Sequence, residues 1–280
     1  MDGLMTEITV NGASLYYEMR GSGPPVLFIS GATGDAAHWA VAAEALADEF
    51  TVLTYDRRGN SRSPPPPEWT EASLTEQADD AAAMLAGLEM APAVVYGSSS
   101  GAIYVTDLLV RHPDVLTGAV MHEPPFVAVT SDPSAVGAAL GTLIADSMAQ
   151  GGPPAAMAAF LKQMVGDGTY ASYDPELIAR CMGNGEVFFG LEMPAMQPYL
   201  PERAQLAQVG VPCVVAVGEE NAAPGSALHW LYETSAWLAG ALSVGLTQSP
   251  GGHAPQASHP EPFVDWLRPI LRSMTAPVLT

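Results

Sequence analysis

Basic residues are scarce in this chain of 280 residues. Ten Lys and Arg stand against 30 Asp and Glu, which gives a net charge of −20. A surface this acidic repels phosphate backbones and anionic lipid headgroups, so the composition argues against nucleic-acid and membrane partners. Charged residues make up only 14% of the chain and hydrophobic residues 48%, a balance that excludes an intrinsically disordered protein.

The sequence also has only two cysteines and no long apolar run. Cys181 and Cys213 show no Cys-x-x-Cys or Cys/His spacing, which argues against a zinc site, and we expect two free thiols in a reducing cytosol. No apolar stretch approaches the roughly 20 residues that cross a bilayer, and residues 1–12 lack the features of a signal peptide. We therefore predict a cytoplasmic protein without metal or cofactor, and leave open whether it forms a homodimer.

What the chain does have is an alternation of strand-like and helix-like segments. Asn11-Gly12 separates two short strand-like runs and predicts a two-residue hairpin turn. The later alternation predicts an α/β fold with a mostly parallel sheet, helices on both faces and the hairpin as an antiparallel edge. The predicted strands are 8–10, 15–18, 26–30, 51–55, 93–96, 116–121, 211–217 and 243–246, and the predicted helices are 39–50, 73–88, 102–112, 227–238 and 260–274.

Residues 126–203 interrupt this alternation. The segment contains no strand-like run and is rich in Met and aromatic residues. We predict a helical cap inserted over the carboxyl edge of the sheet, with residues 1–125 and 204–280 as the core domain, because ligands of open α/β folds bind at that edge. Most of its apolar residues should form the cap's own core, and Phe188 and Phe189 are the predicted ligand contacts.

The sequence Gly97-Ser98-Ser99-Ser100-Gly101 lies between a predicted strand and a predicted helix. In that context the G-x-S-x-G pattern predicts a sharp turn that lifts Ser99 to the top of the sheet as a nucleophile. The two glycines are needed because side chains at their positions would collide with the neighbouring strand and helix.

A serine hydroxyl needs a base, and the base needs a carboxylate that fixes its tautomer. His253 follows the last predicted strand, so its loop opens at the same edge as Ser99. Two loops offer the acid: Glu123 follows one strand, and Glu220-Asn221 follows another. Both give the chain order Ser, acid, His, and the pattern leaves both open.

The oxyanion of a tetrahedral intermediate needs backbone N–H donors. One candidate is the amide of Ser100, directly after the nucleophile. The other is the amide of Gly31 or Ala32, in the loop after the strand 26–30, where small residues allow close approach to a substrate oxygen.

Together these residues resemble the α/β-hydrolase family over nearly the whole chain. The segment 55–63 looks like the family's D-x-R-G-x-G-x-S loop, with Asn60 in place of the second glycine, and Ser30-Gly31 stands where the family usually has His-Gly. The family's usual acid position corresponds to Asn221, which is neutral. A minority of the family carries the acid after the strand that follows the elbow helix, and Glu123 matches that position.

A closer resemblance is carried by Asn11-Gly12, Tyr16-Tyr17-Glu18, Gly21–Pro24, Ser99-Ser100-Gly101-Ala102 and His122-Glu123-Pro124-Pro125. This resemblance is to the zearalenone-type lactone hydrolases. It implies a Ser–His–Glu triad of Ser99, His253 and Glu123, and hydrolysis of an ester or lactone of an apolar substrate through an acyl-enzyme, with a zearalenone-like macrocyclic lactone as one candidate. The chain departs from those enzymes at Ser98, where they have Cys, at Ser30, where they have Asp, and near Phe188, where they have Trp.

Two alternatives stay open at this level. The same fold and residues support amide or C–C bond hydrolysis, because the cap decides the chemistry. A ligand receptor with a vestigial triad is the second, since Ser30 and Asn221 both depart from the family pattern.

Overall fold

Eight strands form one sheet in the computed structural model, which describes residues 6–275. Their order is β1-β2-β4-β3-β5-β6-β7-β8; β1 and β2 are antiparallel to their neighbours, and the pairs from β4 to β8 are parallel. The predicted mostly parallel sheet with an antiparallel edge is therefore confirmed. The strands are β1 Thr6–Val10, β2 Ala13–Arg20, β3 Pro25–Ile29, β4 Thr51–Tyr55, β5 Ala93–Ser98, β6 Leu116–His122, β7 Cys213–Gly218 and β8 Leu246–Ser249.

The first hairpin follows from its two turn residues. Asn11 and Gly12 have φ angles of 46° and 77°, and two successive positive φ angles match the twist of a tight antiparallel hairpin. Val10 and Ala13 consequently face each other as the last pair of the ladder, which confirms the predicted turn.

Alternate residues of the central strands face opposite sides of the sheet, and helices cover both sides. Phe28 of β3 packs in a cluster with residues of α1 and α12, whereas Leu27 packs with residues of α2, α3 and α10. This two-sided burial explains why the strands read as continuous apolar runs. The helices are α1 Ala40–Leu46, α2 Leu74–Gly87, α3 Ser100–Arg111, α4 Pro133–Ser172, α5 Pro175–Gly183, α6 Gly185–Val187, α7 Met193–Met196, α8 Arg203–Leu206, α9 Glu219–Ala222, α10 Trp230–Leu242, α11 Pro255–Ser258 and α12 Pro260–Thr275.

The last strand lies further along the chain than predicted. The expected range was 243–246, but α10 continues to Leu242, and Ser243 then adopts a left-handed conformation with φ 59° that ends the helix. Strand β8 begins only at Leu246 and pairs in parallel with β7 up to the pair Gly218 and Ser249. The correction places His253 four residues beyond the end of β8.

Between β6 and β7 the chain consists of helices and loops, and we call residues 127–206 the inserted helices. The longest, α4, is kinked at Gly151-Gly152 and again at Gly166, where the backbone leaves helical geometry. Pro153 follows the first kink, at a position where a proline starts a helix without disrupting it. Within residues 6–275 no helix is both long and apolar enough to span a bilayer.

Candidate active site

Ser99 occupies a strained turn between β5 and α3. Its φ and ψ angles are 56° and −128°, a conformation that is costly for a residue with a Cβ atom. Its N–H donates to the carbonyl oxygen of His122 on the neighbouring strand at 2.9 Å, which fixes the turn to the sheet. The Ser99 side chain is half-buried and opens into two cavities. This geometry is that of a nucleophile elbow.

The glycines on either side of the turn allow its close packing. A Cβ atom at Gly97 would collide with the backbone of Gly101 and lie 2.7 Å from Cγ2 of Val105 on α3. A Cβ atom at Gly101 would collide with the carbonyl group of Ile29 on β3. The collisions predicted from the sequence are thus confirmed.

The imidazole of His253 is bonded to the carboxylate of Glu123. Nδ1 of His253 lies 2.5 Å from Oε2 of Glu123, and both side chains are buried. Glu123 follows β6 and His253 follows β8, so the parallel strands β6, β7 and β8 bring the two loops to one edge. Of the two carboxylates that the sequence left open, Glu123 is the one in contact with His253, whereas Glu220 is exposed.

Two further groups hold the Glu123 carboxylate. The N–H of Gly218 donates to Oε1 at 2.8 Å, and Nδ2 of Asn221 lies 3.0 and 3.1 Å from the two oxygens. Burial raises the pKa of Glu123, but the hydrogen bond from His253 and the other donors outweigh burial, so this pKa lies below its ordinary value. An ionised Glu123 keeps the proton of His253 on Nδ1 and leaves Nε2 as the basic nitrogen.

Asn221 has a contact that the sequence did not predict. The sequence marked it only as a neutral residue at the family's usual acid position. In the structure its amide donates to the carboxylate of Glu123, which follows the neighbouring strand β6. An amide at that position, combined with Glu after β6, is the signal that identifies this pair.

A small cavity joins Ser99 to His253 and to the candidate oxyanion loop. Its volume is about 30 Å³, and Gly31, Ala32, Ser99 and His253 are among the residues that line it. A Cβ atom at Gly31 would lie 2.8 Å from Cβ of Ser99, so the loop passes directly beside the turn. The N–H of Ser100 lies in the first turn of α3, where helix amides have no intrahelical acceptor.

Ser30 shapes the loop that precedes Gly31. Its Oγ accepts a hydrogen bond from Nε1 of Trp39 at 2.8 Å and donates to the carbonyl oxygen of Asp35 at 2.9 Å. All three residues are fully buried. Ser30, which stands where the family usually has His, therefore connects the start of the loop to Asp35 and Trp39 by hydrogen bonds.

Arg57 joins this loop to the inserted helices. Its guanidinium donates to the carbonyl oxygens of Ser30 and Gly31 at 3.1 and 3.0 Å, and it forms a bidentate ion pair with Glu192, whose Oε2 lies 2.8 Å from Nη2. Both side chains are buried. Asn60 also donates to Glu192 at 2.9 Å. The sequence segment 55–63 gave no indication of Glu192, 135 residues away.

A second set of contacts fixes the inserted helices to the same loops. Nε of Arg180 on α5 lies 2.6 Å from Oδ2 of the buried Asp35. The Asn184 amide donates to the carbonyl oxygen of Thr33 at 2.8 Å and accepts from the N–H of Ser61 at 2.6 Å. Polar contacts of Arg180 and Asn184 thus hold the inserted helices against the loops beside the candidate site.

A larger cavity of about 410 Å³ also borders Ser99, beneath the inserted helices. This size is within the range of small-molecule sites. Phe188 lines the cavity, whereas Phe189 packs against Phe160 and Phe188, with ring centroids 6.0 and 5.2 Å apart, and is not among the lining residues. Other apolar residues that line it are Ile103, Phe126, Leu140, Ile144, Met193 and Trp230.

Curated relatives match only part of the chain. YraK, an uncharacterized hydrolase of Bacillus subtilis strain 168, is 43% identical over 117 residues, which cover 42% of this chain and 43% of that protein. The zearalenone hydrolase of Bionectria ochroleuca is 36% identical over 120 residues, which cover 42% of this chain and 46% of that protein. The matches therefore span less than half the length of these relatives.

Similarity of fold extends over the whole chain. A thermophilic esterase from Thermogutta terrifontis has a TM-score of 0.75 at 22% identity, with 98% of this chain and 100% of that chain covered. An enol-lactonase from Burkholderia xenovorans LB400 has a TM-score of 0.71 at 19% identity, with 95% and 99% covered. These likenesses confirm the predicted α/β-hydrolase fold.

A family model described as the alpha/beta hydrolase family matches residues 26–266, which is most of the chain. That range includes the strained turn at Ser99, the carboxylate of Glu123 and the imidazole of His253. The chain therefore belongs to the alpha/beta hydrolase family.

Proposed function

We propose that this protein is a serine hydrolase that cleaves an ester or lactone of an apolar substrate through an acyl-enzyme. The observation that carries the proposal is the contact of His253 with the buried carboxylate of Glu123, in a cavity that Ser99 also lines. A strained serine, a base and an acid at one sheet edge are the parts that acyl transfer requires.

In the proposed mechanism, Nε2 of His253 takes the proton of Ser99 as Oγ attacks the substrate carbonyl carbon. The amides of Ser100 and of Gly31 or Ala32 donate to the oxyanion that develops. Glu123 stabilises the imidazolium, and its own hydrogen bonds keep it ionised during this step. His253 then protonates the leaving alcohol, and water hydrolyses the ester of Ser99 by the reverse sequence of proton transfers.

The apolar lining of the large cavity supports an apolar substrate. The partial match to a zearalenone hydrolase supports a zearalenone-like macrocyclic lactone as one candidate. Residues 126–203 act in this proposal as a cap over a core of 1–125 and 204–280, with Phe188 in contact with the substrate and Phe189 supporting it. The free thiols of Cys181 and Cys213 support a reducing compartment such as the cytoplasm.

The nucleophile is tested by fluorophosphonate labelling. The probe should phosphonylate Ser99, and peptide mass spectrometry should place the adduct on Ser99 rather than on Ser98 or Ser100. Ser99→Ala should abolish labelling and lower the hydrolysis of a simple methyl ester, followed by pH-stat, by about 10⁴-fold or more. An adduct on another serine, or tight ligand binding with no ester turnover by the folded wild type, contradicts the proposal.

A further inference from the structure

Ser99 lies at the junction of two spaces of very different size. The small cavity of about 30 Å³ and the large cavity of about 410 Å³ share the lining residues Ser99, Phe160 and Met164. His253 and the loop residues Gly31 and Ala32 line the small cavity and are not among the residues that line the large one. The base and the candidate oxyanion loop thus lie on one side of the nucleophile, and the main apolar space lies on the other.

The chemistry of acyl transfer assigns the two sides. When Oγ of Ser99 forms its bond to the carbonyl carbon, the bond between that carbon and the alcohol oxygen breaks. The alcohol oxygen receives from His253 the proton that left Ser99, so it must lie within reach of the imidazole. The alcohol group therefore extends into the small cavity, and the remaining substituent of the carbonyl, the acyl chain, extends into the large one.

The size of the small cavity limits the alcohol. A space of about 30 Å³ holds roughly two water molecules, which is close to a methyl or ethyl group. His38 and Tyr173 line both this cavity and a surface groove of about 530 Å³ beyond it. Their side chains separate the leaving-group side from the groove, so a longer alcohol has no room unless one of them moves.

Two glycines on α4 contribute to the wall of the large cavity, which receives the acyl chain. Gly137 and Gly141 line the large cavity, and a Cβ atom added at either position would have no heavy atom within 4 Å. Both glycines are exposed, so they lie where the cavity opens to the surface, and a large side chain at Gly141 should narrow that opening.

We propose, on the basis of the function proposed above, that the enzyme selects esters with a long apolar acyl chain and a small alcohol. The acyl chain occupies the large cavity beneath α4, and the alcohol leaves through the small cavity between His253 and Tyr173. This assignment is narrower than apolar ester hydrolysis because it fixes which half of the ester is large. It also argues against a macrocyclic lactone among the candidate substrates, because the alcohol carbon of such a lactone carries a long chain.

Two isomeric esters test the assignment. Methyl octanoate and heptyl acetate have the same composition and differ in which side of the ester group carries the long chain. Because even one methylene changes kcat/KM by about 10-fold or more in a fitted apolar pocket, the wild type should prefer methyl octanoate by at least about 10-fold. Hydrolysis is followed by pH-stat titration of the acid released.

A matched pair of glycine variants locates the acyl chain. Gly141→Leu should lower the ratio of kcat/KM for methyl octanoate to that for methyl acetate by about 10-fold, because the new side chain narrows the cavity that Gly141 lines. Gly240→Leu places the same side chain on a glycine of α10 that is also exposed but is not among the residues that line either cavity, and it should leave the ratio unchanged. Tyr173→Ala should raise kcat/KM for heptyl acetate by about threefold or more, because it widens the small cavity that receives the alcohol.

The outcomes separate this inference from the proposed function. Equal rates for the two isomers, or a preference for heptyl acetate, with both reactions lost in Ser99→Ala, overturn the assignment and leave the serine hydrolase standing. Turnover of neither ester, together with no fluorophosphonate labelling of the folded wild type, overturns both. An unchanged ratio in Gly141→Leu overturns the location of the acyl chain.

Discussion

Arg57, in the loop after β4, forms a buried bidentate ion pair with Glu192 of the inserted helices. The same guanidinium donates to the carbonyl oxygens of Ser30 and Gly31. One cation therefore connects the inserted helices to the loop that faces Ser99. The position of that loop depends on Glu192, because an unpaired cation would not remain buried there.

We predict that Glu192→Gln lowers the free energy of unfolding by about 3–5 kcal/mol, because Arg57 keeps its charge and loses its carboxylate. Since the loop at Gly31 loses its anchor, kcat should fall more than KM rises. Urea denaturation at pH 7 and ester kinetics measure the two effects.

The control for Glu192→Gln is the double variant Arg57→Met with Glu192→Met. It should recover most of the stability, because no buried charge is left unpaired, but it should not recover kcat, because the donors to Ser30 and Gly31 are gone. Full recovery of kcat would show that Arg57 does not position the loop. The surface pair of Arg20 and Glu44 offers a second control, because Glu44 is exposed, and Glu44→Gln should barely change the melting temperature.

The contacts of Glu123 predict a graded loss of activity. Glu123→Gln should lower kcat by about 10³-fold or more, because a neutral amide neither fixes the tautomer of His253 nor stabilises its cation. Asn221→Ala removes only one donor to that carboxylate, which is worth about 1.5–3 kcal/mol, and should lower kcat by about 10- to 100-fold. Steady-state kinetics of a methyl ester give both values. The reverse order of losses would move the acid to the loop after β7.

The contact between Gly31 and Ser99 predicts that a single methyl group is not tolerated. A Cβ atom at Gly31 would lie 2.8 Å from Cβ of Ser99 and 3.4 Å from its Oγ. Gly31→Ala should therefore lower kcat/KM by about 100-fold, the scale of losing one oxyanion donor. Gly240→Ala, on the exposed face of α10, should keep kcat/KM and stabilise the protein by about 0.5–1 kcal/mol. Wild-type kinetics in Gly31→Ala would contradict the predicted position of the loop.

His122 predicts how stability depends on pH. It is fully buried behind Glu123, with Nε2 bonded to Oγ of Ser249 at 2.9 Å, and burial lowers its pKa to about 4. In the unfolded chain the pKa of a histidine is about 6.5, so between pH 6.5 and 4 the unfolded state takes up a proton that the native state does not. The free energy of unfolding should fall as the pH falls through this window, by up to about 3 kcal/mol for this residue.

His122→Gln should flatten that dependence. Urea unfolding of the wild type and of His122→Gln between pH 7 and 4.5 measures the two slopes, and groups that titrate in both proteins cancel in the comparison. Parallel curves would mean that His122 takes up its proton equally well in the native state.

Local patterns in the sequence were sufficient for most of the elements. The hairpin at Asn11-Gly12 and the turn at Ser99 depend on residues within a few positions of each other, so φ preferences and apolar periodicity predicted them. The last strand was predicted three residues too early, at 243–246, because the helix was expected to end at 238, whereas α10 continues to Leu242 and the connection runs to Gly245. Only the left-handed Ser243 marks where the helix ends.

By itself, the sequence determined the order of strands and helices and the residue types that acyl transfer requires. The tertiary structure decided which carboxylate meets His253, since Glu123 is 130 residues away and Glu220 is much nearer in the chain. It also decided the buried pair of Arg57 and Glu192 and the unequal cavities on the two sides of Ser99. The physical reason is that contacts between distant residues depend on strand order and side-chain packing, which no local pattern specifies.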